Sequence, residues 1–186
     1  MSIAAAFAAD KQPAFQAPAA SALPHRQTAD KVTIAADPYV EGEKVKTAFG
    51  KLVPYHYGVL PVLVVIQNDS TQSIRLDKMK AEYVGPHGDR VTATPASDVR
   101  YAKAPNRPVL VGGPAGRITG HGKKNPLDAW EIEGRALAAQ MLPPGNTASG
   151  FLYFQTDLQV GATIYLTGLT EASSGRELLY FEIPLQ

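Results

Sequence analysis

The stretch GVLPVLVVIQNDSTQSIRL, Gly58 to Leu76, decides the architecture. In an extended chain Val62, Val64 and Ile66 point to one side and Leu63 and Val65 to the other, so a strand here is apolar on both faces. Such a strand must be covered on each side, which places it centrally in a sheet. The apolar run Val59 to Ile66 is eight residues long and holds Pro61. A membrane-spanning helix needs about 20 apolar residues, so this is no transmembrane segment. The polar residues Asn68 to Gln72 then break the run. Asn68, Asp69 and Ser70 can offer side-chain oxygens to nearby backbone N–H groups, which favours a tight reversal. Ile74 and Leu76 resume the alternation with Arg75 and Asp77 outward, so the chain is expected to cross the protein, turn and return.

Outward from this stretch the pattern stays that of short strands. KVTIAA alternates from Lys31, and DPYVEGEKVKTAFGK reads as a short helix, with Asp37 and Pro38 suited to its start, Val45, Ala48 and Phe49 on one face, and Gly50 ending it. MKAEYV, the turn GPHGD and a strand at Arg90 to Thr92 follow, then a brief helix in TPASDVRYA. LDAWEIEG carries Asp128 and Glu131 at capping-box spacing, which predicts a short helix to about Glu133, with a strand after it closed by a PPGN hairpin turn. ASGFLYFQT, ATIYLTGL and ELLYFEIPL are three evenly spaced strands. In the last, Leu179, Phe181, Ile183 and Leu185 are expected to face inward and Tyr180 and Glu182 outward. About seven to nine strands with a few short helices predict a mainly β antiparallel sandwich.

The 186 residues suit one domain, residues 31–186, preceded by an Ala/Pro-rich stretch, residues 1–30, whose composition predicts a disordered tail or signal remnant. The start, MSIAAAFAAD, has an Ala6-Phe7-Ala8 triplet like a signal-peptidase site but no basic n-region and a short apolar core, so it reads either as an incomplete export signal or as an Ala-rich leader. A Gly/Pro-rich insertion spans residues 104–126.

The order LPVLVVIQNDSTQSIRL, then MLPPGNTASGFLYFQT, then LLYFEIPL resembles bacterial immunoglobulin-like accessory domains of envelope proteins and lipoproteins. The likeness covers about residues 58–84 and 135–185, and its motifs are structural. It implies an immunoglobulin-like sandwich exported to the periplasm or cell envelope, and carries over no catalytic residue.

The chemistry is narrowed mainly by what is missing. With 18 basic and 17 acidic side chains the formal net charge is +1, so no whole-protein field draws the chain to nucleic acid. Without cysteine there is no disulfide, thiol nucleophile or cysteine-ligated metal. His25, His56, His87 and His121 fall in separate loops, without the spacing of a preformed metal site. No G-x-S-x-G pentapeptide occurs, and Ser149 is explained by turn geometry. GHGKK departs from a phosphate-binding loop, since Arg117 stands where Gly is needed and Lys124 where a hydroxyl is needed. Arg117, His121, Lys123 and Lys124 remain candidates for contact with an anionic polymer or lipid headgroup, against the ordinary reading of a solvated basic loop. Glu131 and Glu133 carry no mark of a glycosidase pair. Tyr153, Phe154, Tyr165, Tyr180 and Phe181 could build a sugar-stacking sheet face, although alternation turns Phe181 into the core and leaves Tyr165 and Tyr180 outward. Asn68-Asp69-Ser70 is formally a glycosylation sequon that reads as a turn. The expectation is a non-enzymatic, envelope-associated binding or structural module without a cofactor, partnered by another envelope protein. The alternative is a hydrolase or carbohydrate-binding protein using the 104–126 insertion and a sheet face.

Overall fold

A computed structural model describes residues 15–99 and 126–186. The protein is a sandwich of antiparallel sheets. One sheet has the order β1-β2-β3-β8, from Arg26–Ala29, Val32–Pro38, Leu60–Asn68 and Thr147–Phe154. The facing sheet has the order β11-β9-β5-β6, from Phe181–Pro184, Thr163–Thr167, Lys80–Val84 and Arg90–Thr92. A small third sheet at one end joins β10 (Thr170–Glu171), β4 (Ile74–Arg75) and β7 (Met141–Leu142) in the order β10-β4-β7. Three short α-helices, α1 (Glu43–Phe49), α2 (Ala96–Val99) and α3 (Trp130–Gly134), and two 3-10 turns, Ala20–Ala22 and Pro54–Tyr57, complete the described elements.

The two-faced strand lies where its sequence requires. β3 is bonded on one side to β2, with Ile34 opposite Ile66, and on the other to β8, with Val64 opposite Gly150. Leu60, Val62, Val64 and Ile66 pack between the sheets against Tyr83, Ile164, Leu166, Phe181 and Ile183. Leu63 and Val65 face the other way, into a second core with Val45, Ala48 and Phe49 of α1, Val99 of α2 and Ile132 of α3. The layers are therefore helices, sheet, sheet. Full burial of a Val, Leu or Ile side chain is worth roughly 1.5–3 kcal/mol, so a polar residue on either face of β3 would be costly. Pro61 is tolerated in so central a strand because β2 ends at Pro38, opposite Val62, and the Pro61 carbonyl still accepts from the Tyr39 N–H at 2.8 Å.

Several local expectations move. Asp37 and Pro38 finish β2 instead of starting a helix, pairing with Leu63 and Val62, and α1 begins at Glu43. The α1 face of Val45, Ala48 and Phe49 is buried as expected. The polar break does turn the chain, and Ile74 and Leu76 are buried beyond it. But β4 does not pair back on β3; it joins β7 and β10. PPGN likewise leads from β7 in the small sheet to β8 in the large one, so it is not a hairpin. The Asp128 capping box does not form, because Ala129 holds the N-cap position of α3 without a side-chain cap. Leu179 is exposed, since β11 begins only at Phe181 and the irregular segment before it turns Leu178 inward instead.

The ordered body also begins before Lys31. Ala20 and Leu23 are buried around a 3-10 turn, Ala20–Ala22, and β1 forms a hairpin with β2. Phe15 packs edge-on to Tyr39, with centroids 6.3 Å apart, and 5.5 Å from Phe151. A composition dominated by Ala and Pro hides this, because small residues fit closely against a sheet once two apolar anchors are seated. The hairpin turn puts two non-glycine residues in the left-handed region, Asp30 at φ 49° and Lys31 at φ 61°. Tight hairpin turns of this kind favour glycine at the second position. Replacing Lys31 with Gly is expected to stabilise the protein by about 0.5–1 kcal/mol, read as a higher urea midpoint with an unchanged slope.

Candidate functional site

Arg117, His121, Lys123 and Lys124 lie outside the described residues, as does the insertion up to residue 125. Ser149 is exposed in β8, and His25, His56 and His87 are at least partly open to solvent on separate segments. Among the described residues no three His, Asp or Glu side chains gather as a metal-holding group. No described helix is long and apolar enough to cross a membrane.

Three tyrosine hydroxyls are fully engaged in the scaffold. Tyr153 donates to the Ile132 carbonyl at 2.7 Å, tying α3 to β8. Tyr83 donates to the Asp157 carbonyl and accepts from the Gln159 N–H, and Tyr55 accepts from the Leu158 N–H, so the loop after β8 is held at three successive points. Burial pushes the Tyr153 hydroxyl far above its ordinary value, against the opposing pull of Arg135. Burial, with Asp37 adding to it, pushes Tyr39 up to about 12. Folding therefore favours the neutral phenols, and their contribution is complete below the unfolded value near 10. It is lost as pH rises from there through about 12 for Tyr39. The melting temperature is expected to fall steeply between those values, and the fall should be shallower in Tyr153→Phe, which removes one of the ionising groups.

The best-formed exposed arrangement lies on the outer face of the β11-β9-β5-β6 sheet. Ile164 and Leu166 face the core, so Tyr165 between them points out; Glu82 and Glu182 do so for the same reason on β5 and β11. Register sets Glu182, Tyr165, Glu82 and Thr92 in one row across the four strands. Tyr180, just before β11, stacks beside Tyr165 with centroids 5.2 Å apart and rings inclined by 32°. From the opposite side Arg90 of β6 reaches over β5 and sets its guanidinium 5.1 Å from the Tyr165 ring centre. The same guanidinium is paired with Glu82 at 2.7 Å. The result is a ladder, Arg90, Tyr165, Tyr180, lying across the sheet in the open. Tyr153, Phe154 and Phe181, also weighed as sugar-stacking residues, are buried.

Alternation sufficed to turn Tyr165, Tyr180 and Glu182 outward; the sequence reading assigned no facing to Glu82. Arg90 escaped the sequence reading because its place beside Tyr165 depends on β6 lying two strands from β9, which no local pattern encodes. The described surface also has open concavities. One, of about 260 Å3, is lined by Ala96, Leu127, Asp128, Ala129, Trp130 and Glu133. Another, of about 300 Å3, lies beside the Arg75–Asp77 pair and Met141.

No family model matches the sequence, and no curated protein matches it. Among solved structures the chain is similar to a candidate lipoprotein from Bacillus subtilis subsp. subtilis strain 168, with a TM-score of 0.39 and 12% identity over 86% of this chain. It spans 38% of that protein. It is also similar to a functionally unknown protein from Listeria monocytogenes EGD-e, with a TM-score of 0.36 and 14% identity, covering 86% of this chain and 79% of the other. Likenesses this distant carry no conclusion about what the chain does.

Proposed function

We propose that the chain is a non-enzymatic binding module of the cell envelope, built as an immunoglobulin-like sandwich and contacting its partner through the outer face of β11-β9-β5-β6. The strand order supports the immunoglobulin-like part. With β2, β3, β5, β6, β8, β9 and β11 taken as A, B, C, C′, E, F and G, one sheet reads A-B-E and the other G-F-C-C′. The observation that carries the binding role is the asymmetry of the two outer faces. Helices cover the face of the β1-β2-β3-β8 sheet. Among the described residues no helix or strand covers the opposite face, which holds the Arg90, Tyr165, Tyr180 ladder. Exposed aromatic and arginine side chains held in place are the residue types on which binding energy concentrates. The envelope assignment rests on the resemblance in the sequence.

Co-sedimentation of the purified chain with the envelope fraction of its own cells tests this reading. The chain should be retained saturably, and less so once Tyr165 is replaced by Ser. A chain that stays in the supernatant, or that hydrolyses envelope material catalytically, contradicts it.

A further inference from the structure

The make-up of the ladder points to a ligand class, an inference that deepens the binding-module reading and rests on it. We propose that this face binds a neutral saccharide chain, with a pyranose ring stacked on the free side of Tyr180. The Arg90 guanidinium lies 5.1 Å and the Tyr180 ring 5.2 Å from the centre of the Tyr165 ring, so the more open aromatic surface of the ladder is that of Tyr180. Tyr180 is 51% exposed, and its chain neighbour Leu179 is 69% exposed. A sugar ring presents a C–H face that such a platform can cover, with hydroxyls around its rim.

The polar groups at the platform's edge suit those hydroxyls. The Glu182 carboxylate, next to Tyr165 in the row, makes no hydrogen bond or ion pair among the described residues, and it can only accept. The Arg90 guanidinium can only donate. A hydroxyl does both, so a polyol can satisfy the two together, whereas a carboxylate or an ammonium ligand is matched by only one of them. The local charge acts against an anion: Glu82 and Arg90 neutralise each other, and the Glu182 carboxylate is left. The ladder is already ordered by the Arg90–Glu82 pair and the ring stack, which lowers the entropy lost when a ligand is held. An extended peptide is less well served, because the β11 edge is engaged where the Glu182 N–H donates to the Gln27 side chain at 2.7 Å.

Residue-resolved chemical-shift titration of the full chain with soluble β-linked glucose and N-acetylglucosamine oligomers tests the assignment. Shifts are expected in β9 and at Leu179 to Glu182. Tyr180→Ala should weaken binding at least about tenfold, the size expected for losing one aromatic stack. Tyr180→Phe should bind within about threefold of the parent, because the ring face and not the hydroxyl carries the contact. Tyr180 lies outside both cores, so an unchanged melting temperature separates this effect from unfolding. Absence of shifts up to about 10 mM sugar, or shifts that persist in Tyr180→Ala, would overturn the proposal. If the sugars fail while envelope co-sedimentation survives, the ligand is a protein or lipid and only the saccharide assignment falls.

Discussion

Asn68→Ala is expected to remove about 3–5 kcal/mol of stability, enough to unfold a marginal domain at ordinary temperature. Tyrosines aside, Asn68 is the one buried polar side chain among the described residues, at 0% exposure. Its amide nitrogen donates to the Gln72 carbonyl at 2.8 Å and to the Leu142 carbonyl at 3.0 Å. Its oxygen accepts from the Ser70 N–H at 3.1 Å and the Ser70 hydroxyl at 2.6 Å. Its own backbone N–H and carbonyl bond to Asn146 and Gly145. One residue thus fastens the end of β3, the polar turn and the connection from β7 to β8. Truncation removes four hydrogen bonds at once around a buried position, and a buried polar group that loses a bond costs more than a formed bond gains. Asn68→Asp should be at least as damaging, because it keeps the size and the acceptor but turns an oxygen toward two carbonyls. A urea midpoint for the Asp variant close to the parent's would contradict this account. The same burial argues against glycosylation here, since the nitrogen a sugar would need is bonded and enclosed.

Phe151→Ala is expected to cost a further about 3–5 kcal/mol in its own right, as for other buried phenylalanines. Phe151 lies 4.9 Å from Tyr39, 4.7 Å from Phe49 and 5.5 Å from Phe15, measured between ring centres. It therefore joins the N-terminal segment, α1 and the sheet at one point, and its loss should loosen the helical layer before the β-sandwich. Calorimetry should show a lower melting temperature, and Tyr39 should become more reactive to nitration. The outer face of β11-β9-β5-β6 is on the opposite side of the molecule, so the ladder should survive wherever the variant stays folded. A loss below about 1 kcal/mol would mean that the ring cluster relaxes to fill the gap, contrary to the close packing of protein interiors.

The parts of the fold that read directly from the sequence are those fixed by alternation. The two-sided apolar pattern of Val62 to Ile66 located the central strand, and Phe181, Ile183 and Leu185 face inward as their spacing requires. The parts that did not are non-local. Asn68 reads as an ordinary turn residue, because its bond to the Leu142 carbonyl, 74 residues away, has no trace in the local pattern. The β4 and β7 segments are two residues each, too short to carry a period, so the third sheet is invisible in the pattern. Asp37-Pro38 carries a helix-start signal that pairing with β3 overrides. At the candidate site the same division holds. Tyr165 and Tyr180 could be turned outward by counting residues, whereas the Arg90 cap follows from strand order.

Residue-resolved amide hydrogen exchange tests the central claim, that β3 is the innermost strand and is covered on both faces. The amides of Val62 to Ile66 should exchange slowest in the chain, at the rate set by global unfolding, while Arg90 to Thr92 on the three-residue edge strand β6 exchange much faster through local opening. Exchange at Val62 to Ile66 as fast as at that edge would contradict the layered arrangement and every role derived from it.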